Sequence, residues 1–71
     1  MKINNVPIID SKTFLHTFFC GADIYSADII DRDVDEFVVK FCLDNNMIEE
    51  IDNKGKRLYR ILEAGKRVIN K

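Results

Sequence analysis

Apolar residues recur along this chain in two rhythms. From Ser11 to Cys20, and again from Val34 to Cys42, they fall three and four apart, the period of a helix with one buried face. From Met47 to Leu62 they bunch into short stretches rich in Ile, Leu and Tyr, separated by a polar turn, as strands do. The first helix is expected to open at Asp10 as N-cap, with Ile9 stapled onto Phe14, and to run to Cys20 before Gly21. Phe14, Leu15, Phe18 and Phe19 form its inner face. Ile24 and Tyr25 then read as a one- or two-residue strand. Ser26 reads as the cap of a short helix over Ala27–Asp31 that carries Ile29 and Ile30, with Tyr25 and Ile30 at staple positions.

The third helix shows the fullest pattern. Asp33 and Glu36 have the spacing of a capping box. Val34, Phe37, Val38, Phe41 and Cys42 make a continuous stripe expected to face inward. Asp35, Glu36, Val39, Lys40 and Asp44 are then expected to face outward, and Asn45-Asn46 to end the helix in a left-handed cap. Two strands, Met47–Ile51 and Arg57–Leu62, flank "DNKGK", whose Asn and Gly suit a hairpin turn with positive φ. Tyr59 and Ile61 share one face of the second strand, and Leu58, Arg60 and Leu62 the other. A brief helix over Ala64–Asn70 closes the chain, with Val68 and Ile69 inward and Lys66, Arg67 and Lys71 outward. Residues 1–9, with Pro7 among them, read as an arm or edge strand, and residues 10–71 as a single domain. The fold class expected is α+β and mostly helical, with three helices, a two- or three-stranded wing hairpin and a short closing helix.

Helix, short helix, capped helix, hairpin and closing helix is the element order of a winged helix-turn-helix domain. The resemblance is specific at "LDNNMIEEIDNKGKRLYRILEAGKRVI". Winged-helix transcription regulators similarly end the third helix in Leu and a few polar residues, then pass through a short strand and a basic, Gly-containing wing. A "Tyr-Arg-Leu-Thr" type strand and a helix with an early Gly follow. Leu43, Asn46, Met47-Ile48, Lys54-Gly55-Lys56-Arg57, Tyr59-Arg60-Ile61 and Gly65 stand at those positions. The resemblance covers residues 43–69 by motif and the preceding part by element order. Leu62 stands where relatives carry a capping Thr, and Asn46 where they carry Gly. The resemblance implies a DNA-binding regulator whose third helix enters the major groove while the wing follows the phosphate backbone.

Composition narrows the picture. The chain has 71 residues, one domain near the size at which a single core barely suffices. The hydrophobic content of 46% argues against disorder, even with 32% charged residues. No apolar run is long enough to span a bilayer, and the opening MKINNVPIID lacks the apolar stretch of a secretory signal, so a cytoplasmic protein away from membranes is expected. Cys20 and Cys42 both lie in apolar helical patterns and are expected to be buried thiols. His16 stands alone and is expected to be a half-buried structural residue, so neither a metal nor another cofactor is expected. Gly21, Gly55 and Gly65 are isolated, and no Ser/His/acid or Cys/His constellation is present, which argues against an enzyme.

Charge is strongly polarised. Residues 1–53 hold four bases against eleven acids, a net of −7, whereas residues 54–71 hold seven bases and Glu63, a net of +6. Such asymmetry bears on partners. The leading expectation is double-stranded DNA, bound through Lys54, Gly55, Lys56, Arg57, Arg60, Lys66 and Arg67, which would neutralise phosphates. Arg32, Val39 and Lys40 are the residues of the groove helix that would face the bases, and a homodimer would use Val39 and Leu43. The alternative is a protein-interaction module or inhibitor, of a kind also carried by phages. Its acidic surface, Asp28, Asp31, Asp33, Asp35 and Glu36, would meet a basic protein. The acids argue for that alternative, because carboxylates pressed toward phosphates are repelled.

Overall fold

Capping and turn chemistry set most of the element boundaries. The computed structural model describes residues 8–70, so the expectations for residues 1–7 and for Lys71 lie outside the described residues. Asp10 caps the first helix, α1 (Ser11–Phe19), accepting hydrogen bonds from the Thr13 backbone N–H at 3.1 Å and the Thr13 hydroxyl at 2.7 Å. Those two donors hold its carboxyl below the usual carboxylate range, the hydroxyl contributing most. Ile9 makes no staple onto buried Phe14, being 63% exposed. β1 (Ile24–Ser26) leads into α2 (Ala27–Asp33), which is two residues longer than the sequence pattern suggests; Ser26 precedes it without a side-chain cap.

α3 (Glu36–Asp44) begins later than expected. Its cap is Asp35, which accepts from the Phe37 N–H at 3.1 Å, rather than Asp33. The reason lies in a contact with Ile8. The Ile8 N–H donates to the Asp33 carbonyl at 3.1 Å, and the Asp35 N–H donates to the Ile8 carbonyl at 2.9 Å. This parallel bridge holds Val34 extended and delays the helix. At the other end Asn46 takes the left-handed conformation, φ 58°, as expected of that pair.

β2 (Ile48–Asn53) and β3 (Lys56–Ile61) form an antiparallel hairpin with Asn53 opposite Lys56. Its two-residue loop is Lys54-Gly55, at φ 53° and 86°, the pattern of a type I′ turn whose twist matches the strands. The left-handed positions thus fall on Lys54 and Gly55 and not on Asn53. Asp52 steadies the loop by accepting from the Gly55 N–H at 3.1 Å. β1 pairs with the far side of β3, giving one antiparallel sheet in the order β1-β3-β2. α4 (Glu63–Ile69) follows and packs back on α1, without a side-chain cap at Leu62.

The core gathers Phe14, Leu15 and Phe19 of α1, Ala27 and Ile30 of α2, and Val34. Val38, Val39 and Cys42 of α3, with Ile48, Tyr59 and Ile61 of the hairpin, complete it. Burial pushes the Cys42 thiol up to about 11, so it remains protonated and acts as a small hydrophobe. Cys20 departs from expectation and is exposed, as is His16. The chain is therefore α+β, with four helices and a three-stranded antiparallel sheet among the described residues. No helix among them is long and apolar enough to cross a membrane.

Candidate recognition surface

α3 turns a different flank to the core from the one its apolar stripe suggests. Val38 and Cys42 are buried, as expected, but the row turned inward beside them is Val39, which is buried, and Leu43, which is half-buried. Val39, expected to point outward as a groove residue, is 5% exposed. Phe37 and Phe41, expected inside, are 59% and 48% exposed. The physical reason is an ambiguity of helical spacing. The Val38/Cys42 row has an apolar row on each side, and a helix lying between α1 and the hairpin turns only one of them toward the core. The signal was present in the sequence, since seven apolar residues between Val34 and Leu43 exceed what one face holds.

The outward surface of α3 therefore has three lanes. Phe37 and Phe41, one turn apart, form an aromatic ridge. Glu36, Lys40 and Asp44 run beside it at successive turns, with Lys40 Nζ 3.5 Å from the Asp44 carboxylate. Beyond them lies an open hollow of about 390 Å³, lined by Asp31, Glu36, Val39, Lys40, Leu43 and Tyr59.

The hairpin's cations are distributed in a way that linear spacing did not reveal. Arg57 is engaged within the chain through four of its five N–H donors. Its guanidinium donates to Glu50 at 2.9 Å, Asp31 at 3.1 Å and Asp28 at 3.3 Å, and also to the Tyr59 hydroxyl at 3.3 Å. The Tyr59 hydroxyl in turn donates to Asp31 at 3.0 Å. Charge-assisted bonds from Glu50, then Asp31, raise the Arg57 pKa further above its ordinary value. Burial, then the bond to Asp31, pushes the Tyr59 phenol up to about 12.

Arg60 pairs across the hairpin with Glu49, and Arg32 bonds its neighbour Asp33 at 3.3 Å. Lys54 and Lys56 stand exposed at the hairpin tip beside Gly55, with no ion pair among the described residues. Lys66 and Arg67 are exposed in the last turn of α4, where cations complement the helix dipole. The tip and α4 lie at opposite ends of β3, separated by roughly 17 Å at a strand's rise of about 3.3 Å per residue. The seven candidate backbone-binding residues therefore do not converge into one patch.

The acidic candidates do cluster, with much of their charge already used. Asp28 and Asp31 hold Arg57, Asp33 holds Arg32, and Asp35 caps α3. Glu36 is exposed and makes no ion pair among the described residues. Comparison with family models, curated proteins and solved structures finds no match to the chain.

Proposed function

We propose that this chain is a winged-helix protein-interaction module, in which the outward face of α3 and the neighbouring carboxylates of α2 engage a partner with an apolar groove rimmed by basic residues. The order α1-β1-α2-α3-β2-β3-α4, the sheet order β1-β3-β2 and the tight β2–β3 wing support the winged-helix reading.

The observation that carries the interaction reading is the pair of exposed rings, Phe37 and Phe41, on the helix that would otherwise enter a DNA groove. Two aromatic anchors at i and i+4 are the mark of a helix that lays itself into a partner's groove. Their half-exposed area forgoes on the order of 1 kcal/mol each relative to full burial, which a partner would recover. Glu36 and Asp44 beside them, with the acids of α2, favour a basic rim.

Lys54 and Lys56 support the second reading, contact with a nucleic-acid backbone through the wing. With Arg57 and Arg60 held by carboxylates, Lys54 and Lys56 are the two wing cations without an ion pair among the described residues, and Asp31, Asp33, Asp35, Glu36 and Asp44 flank the helix that would have to approach phosphates.

The two readings separate in one pair of measurements. Anisotropy titration of labelled duplex DNA at low salt is expected to show no binding that depends on Lys54 and Lys56. Affinity capture from the source cell, with wild type and a Phe37→Ser/Phe41→Ser variant whose cooperative thermal unfolding shows that it is folded, is expected to yield a basic protein with the wild type alone. Salt-sensitive duplex binding, lost in a Lys54→Ala/Lys56→Ala variant with its salt slope reduced by about two, would overturn the proposal.

A further inference from the structure

We propose that the hollow between α2, α3 and β3 is the seat of an arginine side chain from the partner, an inference that rests on the protein-interaction reading. Its floor is apolar, made by Val39 and Leu43 of α3 and the ring of Tyr59. Its rim carries carboxylates from two different helices, Asp31 of α2 and Glu36 of α3. That combination suits a side chain with an apolar stem and a weakly hydrated planar cation at its end.

The molecule already contains half of such an arrangement. Arg57 reaches the same Asp31 from the hairpin side, with its Cζ 6.0 Å from the centre of the Tyr59 ring. Asp31 uses one oxygen for Arg57 and the other for the Tyr59 hydroxyl. A carboxylate oxygen has two lone pairs, so Asp31, which lines the hollow, retains acceptor capacity. Glu36 across the rim has its whole carboxylate uncommitted among the described residues. Asp31 and Glu36 face one lysine, Lys40, in the lining, and the ion-pair partners of Arg57 and Lys40 (Asp28, Glu50 and Asp44) add further negative charge nearby, a balance that attracts a further cation. Among the described residues Lys40 is the opposing group on the rim, and Asp44, one turn on, pairs with it at 3.5 Å.

The test is a titration of the isotope-labelled protein, followed by amide shifts, with N-acetyl-arginine amide and its neutral isostere N-acetyl-citrulline amide. Saturable shifts centred on Asp31, Glu36, Val39 and Leu43 are expected with the arginine probe only. Glu36→Gln, an exposed change that leaves the fold intact, is expected to weaken them about two- to fivefold, the worth of one exposed charge pair. Lys40→Ala is expected to strengthen them, and Leu43→Trp, which fills the hollow, to remove them. Equal responses to both probes, or shifts spread evenly over Asp10, Asp23 and Glu63 as well, would overturn the assignment, as would an indifferent Glu36→Gln. A partner captured through Phe37 and Phe41 without any arginine site would remove this inference alone. Failure of that capture with the arginine site intact would remove only the partner.

Discussion

At Gly65 a Cβ would lie 2.5 Å from the Met47 carbonyl oxygen and 2.8 Å from Cγ1 of Ile61. The same carbonyl accepts the Leu62 N–H at 2.8 Å, so it has little freedom to retreat. An exposed helical Gly→Ala change ordinarily gains up to about 1 kcal/mol of helix propensity. Here the overpacking is expected to dominate, and Gly65→Ala should destabilise by about 1–3 kcal/mol. Thermal unfolding followed by circular dichroism checks this, with a Tm drop of several degrees expected for a domain of this size. The early Gly of α4 was legible as a motif, but its cause was not, because Met47 and Ile61 meet it only through the fold. Lys54 shows the converse. Its φ of 53° is imposed by the hairpin, which needs two left-handed residues whether or not the chain offers Asn for both.

Elements were legible wherever one local pattern had a single solution. Asp10 capped α1, the Asn45-Asn46 pair closed α3, and the hairpin formed around Gly55 as its turn chemistry dictates. α3 had two solutions, and choosing between the Phe37/Phe41 and Val39/Leu43 flanks required knowing what lies on each side. The docking of the hairpin on α2 was likewise invisible, since Arg57 and Asp31 are 26 residues apart. That docking has a pH signature. The folded pKa of Tyr59, about 12, lies above the ordinary phenol value of 10.0, so the folded state holds the phenolic proton more tightly. The associated stability is complete below the unfolded pKa and is lost as pH rises from 10.0 through about 12. Urea midpoints measured across that window should fall more steeply for wild type than for Tyr59→Phe.

On the scale of the whole molecule, the candidate surface is acidic, and Lys54, Lys56, Lys66 and Arg67, which make no ion pair among the described residues, sit elsewhere. A two-fold dimer through α3 would place the same acidic patch against itself, and like charges brought together across an interface are costly. The ridge is also small. Two half-exposed rings offer roughly 200 Å², against about 800 Å² per partner in a stable complex. Light scattering at micromolar concentration is therefore expected to return the 8.3 kDa monomer, and a dimer would identify the partner as a second copy. By itself the sequence determined the α+β class, the order of elements, the Asp10 cap, the Asn45-Asn46 stop and the tight turn, because these follow from spacing and from residues adjacent in the chain. Only the tertiary structure decided which flank of α3 faces outward and which of the described cations are held in ion pairs. Burial of one apolar row over another, and the capture of Arg57 by Asp28, Asp31 and Glu50, depend on neighbours that folding alone brings together.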